Sequence, residues 1–139
     1  MSIYKLADNL PSLALPLFVE RVACGFPSPA ADYVESRIDL NELLVSRPSA
    51  TYFIRAAGNS MIESNIHDGD LLVVDSSLKP RHGDQVIAAI DGEFTLKKLQ
   101  LTPCIRLLAM NPDYPAISLD GEEELNVFGV VTYIIYSAR

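Results

Sequence analysis

Four tight-turn signals crowd the stretch from residue 68 to residue 113: Asp68-Gly69-Asp70, His82-Gly83-Asp84, Asp91-Gly92 and Asn111-Pro112-Asp113. Glycine, proline and aspartate at this density leave only short segments between chain reversals. Those segments are rich in β-branched and aromatic residues. Strand-like runs cover Thr51–Arg55, Leu71–Asp75, Val86–Ile90, Glu93–Leu99, Ile105–Ala109 and Val127–Tyr136. Asp91-Gly92 between two of them is a strong signal for a two-residue type I′ hairpin. No long apolar period of 3.6 competes, so the body of the chain is expected to be mainly β.

The first 30 residues read differently. Pro11, Pro16, Pro27 and Pro29 interrupt them, and neither a period of 2 nor one of 3.6 persists. Leu13 to Val19 is apolar but contains Pro16, which predicts an extended segment laid on something else, or an N-terminal strand. Residues 1–30 are therefore expected to form an arm, and 31–139 the domain. Asp39 followed three residues later by Glu42 resembles a capping box. With Pro48 close behind, it predicts a short helix over Leu40 to Val45.

A chain of 139 residues, 49% hydrophobic and 21% charged, can bury a core without metal or disulfide staples. Its net charge of −7, from 11 basic and 18 acidic residues, argues against a dedicated nucleic-acid surface, which needs clustered Lys and Arg. Cys24 and Cys104 are too few for a disulfide framework and read as free thiols in a reducing cytoplasm. His67 and His82 lack the spacing of a zinc site, and no metal or cofactor is expected. No signal peptide is visible, and the longest apolar runs fall short of the ~20 residues needed to span a bilayer. A cytoplasmic location is the expectation.

One serine and one lysine stand out. Ser60 lies in Gly58-Asn59-Ser60-Met61, where the run Thr51–Arg55 enters a Gly-marked turn before Met61-Ile62-Glu63, a candidate helical turn. Glycine permits a tight bend, and free N–H groups at a helix start can hold an oxyanion. An N-cap role for the serine is the local alternative. Lys97 lies 37 positions on, in Glu93–Leu99. A neutral lysine amine can take a serine proton, provided burial lowers its pKa. Strand alternation puts Lys97 and Lys98 on opposite faces and does not say which is buried; alone, it leaves two exposed lysines as the simpler expectation.

The ordered set of motifs carries more than either residue. Cys24-Gly25-Phe26-Pro27-Ser28-Pro29-Ala30, Gly58-Asn59-Ser60-Met61, Ile66 to Asp75, Gly83-Asp84, Val86 to Ile90, Asp91 to Leu99 and Val127-Phe128-Gly129-Val130-Val131 occur in one order over nearly the whole chain. Together they resemble the UmuD branch of the LexA/UmuD family of self-cleaving proteins. The resemblance implies compact twisted β-sheets of the β-clip type, with short helices and an extended N-terminal arm. It implies a dyad with Ser60 as nucleophile and Lys97 as general base, an oxyanion hole of the Ser60 and Met61 backbone N–H groups, and scission between Cys24 and Gly25. The implied partners are a second copy of the chain, a RecA–single-stranded-DNA filament that stimulates cutting, and a UmuC-type Y-family polymerase in error-prone synthesis during the SOS response. Asn59 departs from the residue family members often carry there, but removes no catalytic group.

Two other readings are weighed against this one. A LexA-like or phage repressor carries an N-terminal helix-turn-helix, for which the proline-broken first 50 residues of this acidic chain are a poor match. A non-catalytic β module would use Ser60 as a cap and Lys97 as surface charge. Self-cleavage separates the last reading from the first.

Overall fold

The computed structural model describes residues 2–5, 14–18, 34–58, 61–90, 92–118 and 126–139, with backbone alone for 2–5, 14–18, 34–37 and 62. The chain divides into two compact units, Ala7–Ser46 and the combination of Met1–Leu6 with Arg47–Arg139.

In the smaller unit, β2 (Ala14–Phe18) pairs antiparallel with β3 (Val34–Asp39), with Pro16 opposite Arg37. A two-stranded ribbon has only edges, so a proline costs it no interior ladder bond. Asp39 ends β3 and caps α1 (Leu40–Leu44), its carboxylate accepting from the Asn41 N–H at 3.0 Å. The short helix expected from the capping pattern is present. It stops at Val45, whose N–H bonds the Asn41 carbonyl at 2.9 Å in an extended conformation.

The larger unit is a single antiparallel sheet. Its strands are β1 (Ser2–Lys5), β4 (Thr51–Arg55), β5 (Leu71–Asp75), β6 (Gln85–Ile90), β7 (Glu93–Gln100), β8 (Arg106–Leu108), β9 (Ile117–Ser118) and β10 (Val127–Ile135). Their order across the sheet is β1-β4-β5-β10-β6-β7-β8-β9. The fold is mainly β, as the turn spacing requires. Ile90 pairs antiparallel with Glu93 and Gly92 takes φ +80°, at the hairpin expected from Asp91-Gly92; Asp91 itself lies outside the described residues.

β10 enters between β5 and β6, and its register shifts against both neighbours, between Val127 and Gly129 and between Val131 and Tyr133. Such bulges bend a strand locally. Gly129 sits at the tight crossing. A Cβ there would lie 2.6 Å from Val74 Cγ1 and 3.2 Å from the Asp75 carbonyl oxygen.

The sheet is buried on both faces. Ile54, Ala56, Met61, Ile66, Leu72, Val74, Ile87 and Leu96 form one cluster. Val86, Ala88, Leu99, Leu107 and Val130 form the other. Adjacent residues on β6 and β7 feed opposite clusters, as strand alternation dictates. Each fully buried Ile, Leu or Val contributes about 1.5–3 kcal/mol.

Candidate active site

β7 explains what happens to its two lysines. Phe94 near its start is exposed, but from Leu96 onward the strand has apolar packing on both sides. Lys97 lies opposite Val86 on β6 and shares its face with Leu99, so its side chain enters the second cluster's side of the sheet. It is only 8% exposed, while Lys98 is half-buried. The expectation of two exposed lysines is corrected here: β7 lacks a solvent face at this point. Burial pushes the Lys97 amine below its ordinary pKa of 10.5, because the charged form loses water.

A cleft of about 410 Å³ opens beside Lys97, walled by Ile90, Phe94, Thr95, Tyr114, Pro115 and Ile117, with Glu93 alongside. A second cleft, about 160 Å³, lies between two segments. Ala56, Ala57, Gly58, Met61 and Ile66 line it from one side, and Phe94, Thr95 and Leu96 from the other. Phe94 and Thr95 border both. Phe94 also stacks against Phe128 (centroids 4.9 Å apart), which in turn meets Tyr52 at 5.1 Å.

Asn59 and Ser60 lie outside the described residues, as do Cys24 and Gly25, which fall in sequence between β2 and β3. What is described is the frame around position 60. Gly58 has φ +86°, a left-handed conformation that glycine adopts without a Cβ penalty. Its N–H donates to Asp68 Oδ1 at 2.9 Å. Met61 is 2% exposed and belongs to the first core cluster. The turn expected over Met61-Ile62-Glu63 is a 3-10 turn at Ile62–Ser64, closed by Ser64 N–H to the Met61 carbonyl at 3.0 Å and tied down by Glu63 N–H to the Met110 carbonyl at 2.7 Å. The flanks of Ser60 thus border a cleft whose far wall is the part of β7 leading into Lys97.

Both histidines have local structural contacts. His67 Nδ1 is 3.7 Å from the buried Asp70 carboxylate, and His82 Nδ1 accepts from the Leu101 N–H at 2.9 Å. Among the described residues no group of His, Cys, Asp and Glu could hold a metal ion. No helix among them is long and apolar enough to cross a membrane. Sequence reasoning treated Asp68-Gly69-Asp70 as punctuation and missed the Asp68 contact to Gly58. The only signal was an aspartate flanking a turn glycine, which is common at turns.

A family model described as peptidase S24-like matches residues 16–132. The chain belongs to that family. Among curated S24-like relatives, protein SamA of Salmonella typhimurium is 56% identical over 124 residues, covering 89% of this chain and 86% of its own. Protein ImpA of Escherichia coli is 50% identical over 128 residues, 92% and 88% of the two chains. A LexA repressor from Azoarcus is 44% identical over 126 residues, which cover 89% of this chain and 61% of the repressor. The resemblance to the LexA/UmuD family, drawn from ordered motifs, is borne out.

Proposed function

We propose that this S24-like protein is a self-cleaving Ser–Lys peptidase of the UmuD kind, which cuts its own arm (within residues 1–30) between Cys24 and Gly25. The observation that carries this reading is the buried Lys97, its pKa lowered by desolvation, beside a cleft on β7. Ser60 Oγ attacks the Cys24 carbonyl carbon as its proton passes to the Lys97 amine. The Ser60 and Met61 backbone N–H groups hold the oxyanion. Lys97 then gives the proton to the departing Gly25 amine as the Cys24–Gly25 bond breaks, leaving an ester on Ser60. Water, deprotonated by Lys97, cleaves the ester and restores the serine. The products are residues 1–24 and residues 25–139.

In this reading, a RecA–single-stranded-DNA filament accelerates the cut by binding preferentially to the state with the arm in place. The processed homodimer then joins a UmuC-type Y-family polymerase in the cytoplasm, in error-prone synthesis during the SOS response. Identity supports this branch over a repressor: SamA is 56% and ImpA 50% identical to this chain, against 44% for the LexA repressor. The end of β10 supports the homodimer. β6 pairs with β10 only from Val127 to Val130, whereas β5 follows it to Ile135. Tyr133, Ile134, Ile135 and Tyr136 are all exposed there. A second copy running antiparallel would occupy that edge and cover those side chains.

The test is mass spectrometry of pure protein incubated across rising pH, with and without activated RecA filament. The expected product begins at Gly25, forms faster as pH climbs, and is absent from Ser60→Ala. Intact protein at alkaline pH, or equal cutting by Ser60→Ala, would instead favour a binding module.

A further inference from the structure

We propose that Asp68 is a positioning residue for the nucleophile: its carboxylate holds the Gly58 N–H and so fixes the left-handed bend two positions before Ser60 in sequence. The inference rests on the reading of Ser60 as the nucleophile, and goes beyond the dyad and oxyanion groups.

Four observations lead to it. Gly58 stands two positions before Ser60 and holds φ +86°, yet an added Cβ would meet nothing within 4 Å. Backbone conformation, not crowding, is therefore what the position demands. β4 ends at Arg55, and the next described helical turn starts at Ile62. In that interval a side chain, Asp68, supplies the bond to Gly58 at 2.9 Å.

Asp68 is itself on a fixed mount. The Asp70 carboxylate, 5% exposed, accepts from the His67 N–H at 2.9 Å, and the Asp70 N–H bonds the His67 carbonyl at 3.1 Å. This turn is stitched to the segment before Gly58 at three further points. Gly69 N–H reaches the Ala56 carbonyl at 2.8 Å, Ala56 N–H reaches the Asp70 carbonyl at 2.8 Å, and Arg55 Nη1 reaches the Gly69 carbonyl at 3.0 Å. The two loops form one clamp, and Asp68 is the jaw closest in sequence contact to the nucleophile. A displacement of about 1 Å at a reacting group can cost ~100-fold in rate, so a bond at this place matters to chemistry more than to stability.

The experiment compares self-cleavage–pH profiles of full-length wild type, Asp68→Asn and Asp68→Ala, with melting temperatures measured beside them. Asparagine keeps an acceptor oxygen for the Gly58 N–H, whereas alanine removes it. The expected result is a plateau rate reduced about tenfold or more in Asp68→Ala. The pH midpoint should stay at the wild-type value, because Lys97 remains buried, and Asp68→Asn should recover most of the rate. Amide exchange at Gly58 should quicken in the alanine variant and stay slow in the asparagine one.

A wild-type rate in Asp68→Ala overturns the positioning role while leaving the dyad standing. So does equal loss in Asp68→Asn, which would mean the charge matters and not the bond. A midpoint shifted up toward an ordinary lysine in Asp68→Ala also overturns it, since that is the mark of general loosening around β7. If wild type itself never cuts, both this inference and the peptidase reading fall together.

Discussion

Lys97 occupies a place where a cation is costly and a neutral amine is not, and both its chemistry and its effect on stability follow. Its pKa is lowered by burial. Between that lowered value and 10.5 the unfolded chain binds more protons than the native one, so stability should rise with pH across this window. At neutral pH the buried charge is a burden on the fold. Lys97→Met should therefore raise the melting temperature by about 2–4 °C while abolishing self-cleavage, as followed by calorimetry and by mass. Lys97→Arg should be equally inert, since a guanidinium stays charged. Lys98→Ala, on the opposite face of β7, should still cut. Cleavage by wild type should accelerate through a midpoint below that of a free lysine, and a midpoint at or above 10.5 would contradict the role given to burial.

Among the elements, β10 makes the sharpest demand on sequence. Gly129→Ala would drive a methyl group to 2.6 Å from Val74 Cγ1 and 3.2 Å from backbone oxygen. Overpacking of this kind costs about 1–3 kcal/mol, measurable as a shifted urea midpoint at unchanged slope. Most strands of the large sheet were legible beforehand because turn residues bracket them. Thr51–Arg55 and Leu71–Asp75 match β4 and β5 to the residue, and Val86–Ile90 misses only Gln85 of β6. The two-residue β9 is too short to carry a pattern. β1 depends on a partner about 50 positions away, which local propensity cannot reveal. The buried lysine was illegible for a different reason: alternation tells faces apart only when one of them is wet, and β7 is dry on both at Leu96 and Lys97. For that residue periodicity left two exposed lysines as the simpler expectation, and the structure buries Lys97 instead. The hydrogen bond from Gly58 to Asp68 had no counterpart in any pattern.

For the molecule as a whole, the exposed apolar end of β10 sits on a chain of net charge −7. Charge keeps such proteins dispersed, so the proposed homodimer would need a specific patch to form. Ile135→Lys should weaken self-association at least tenfold by sedimentation equilibrium, because burying a charge at a paired strand edge is unfavourable. Self-cleavage in dilute solution by that variant would then indicate whether one copy suffices to cut its own arm. The broader consequence comes from where the proposed base is anchored. β7 is laddered to β6 on one side and β8 on the other, so its register cannot slip without tearing two neighbours. A trigger mounted that firmly is always cocked. On the proposed mechanism, timing lies with delivery of the scissile bond, and a stimulus that slackened the sheet would disarm the protein rather than fire it.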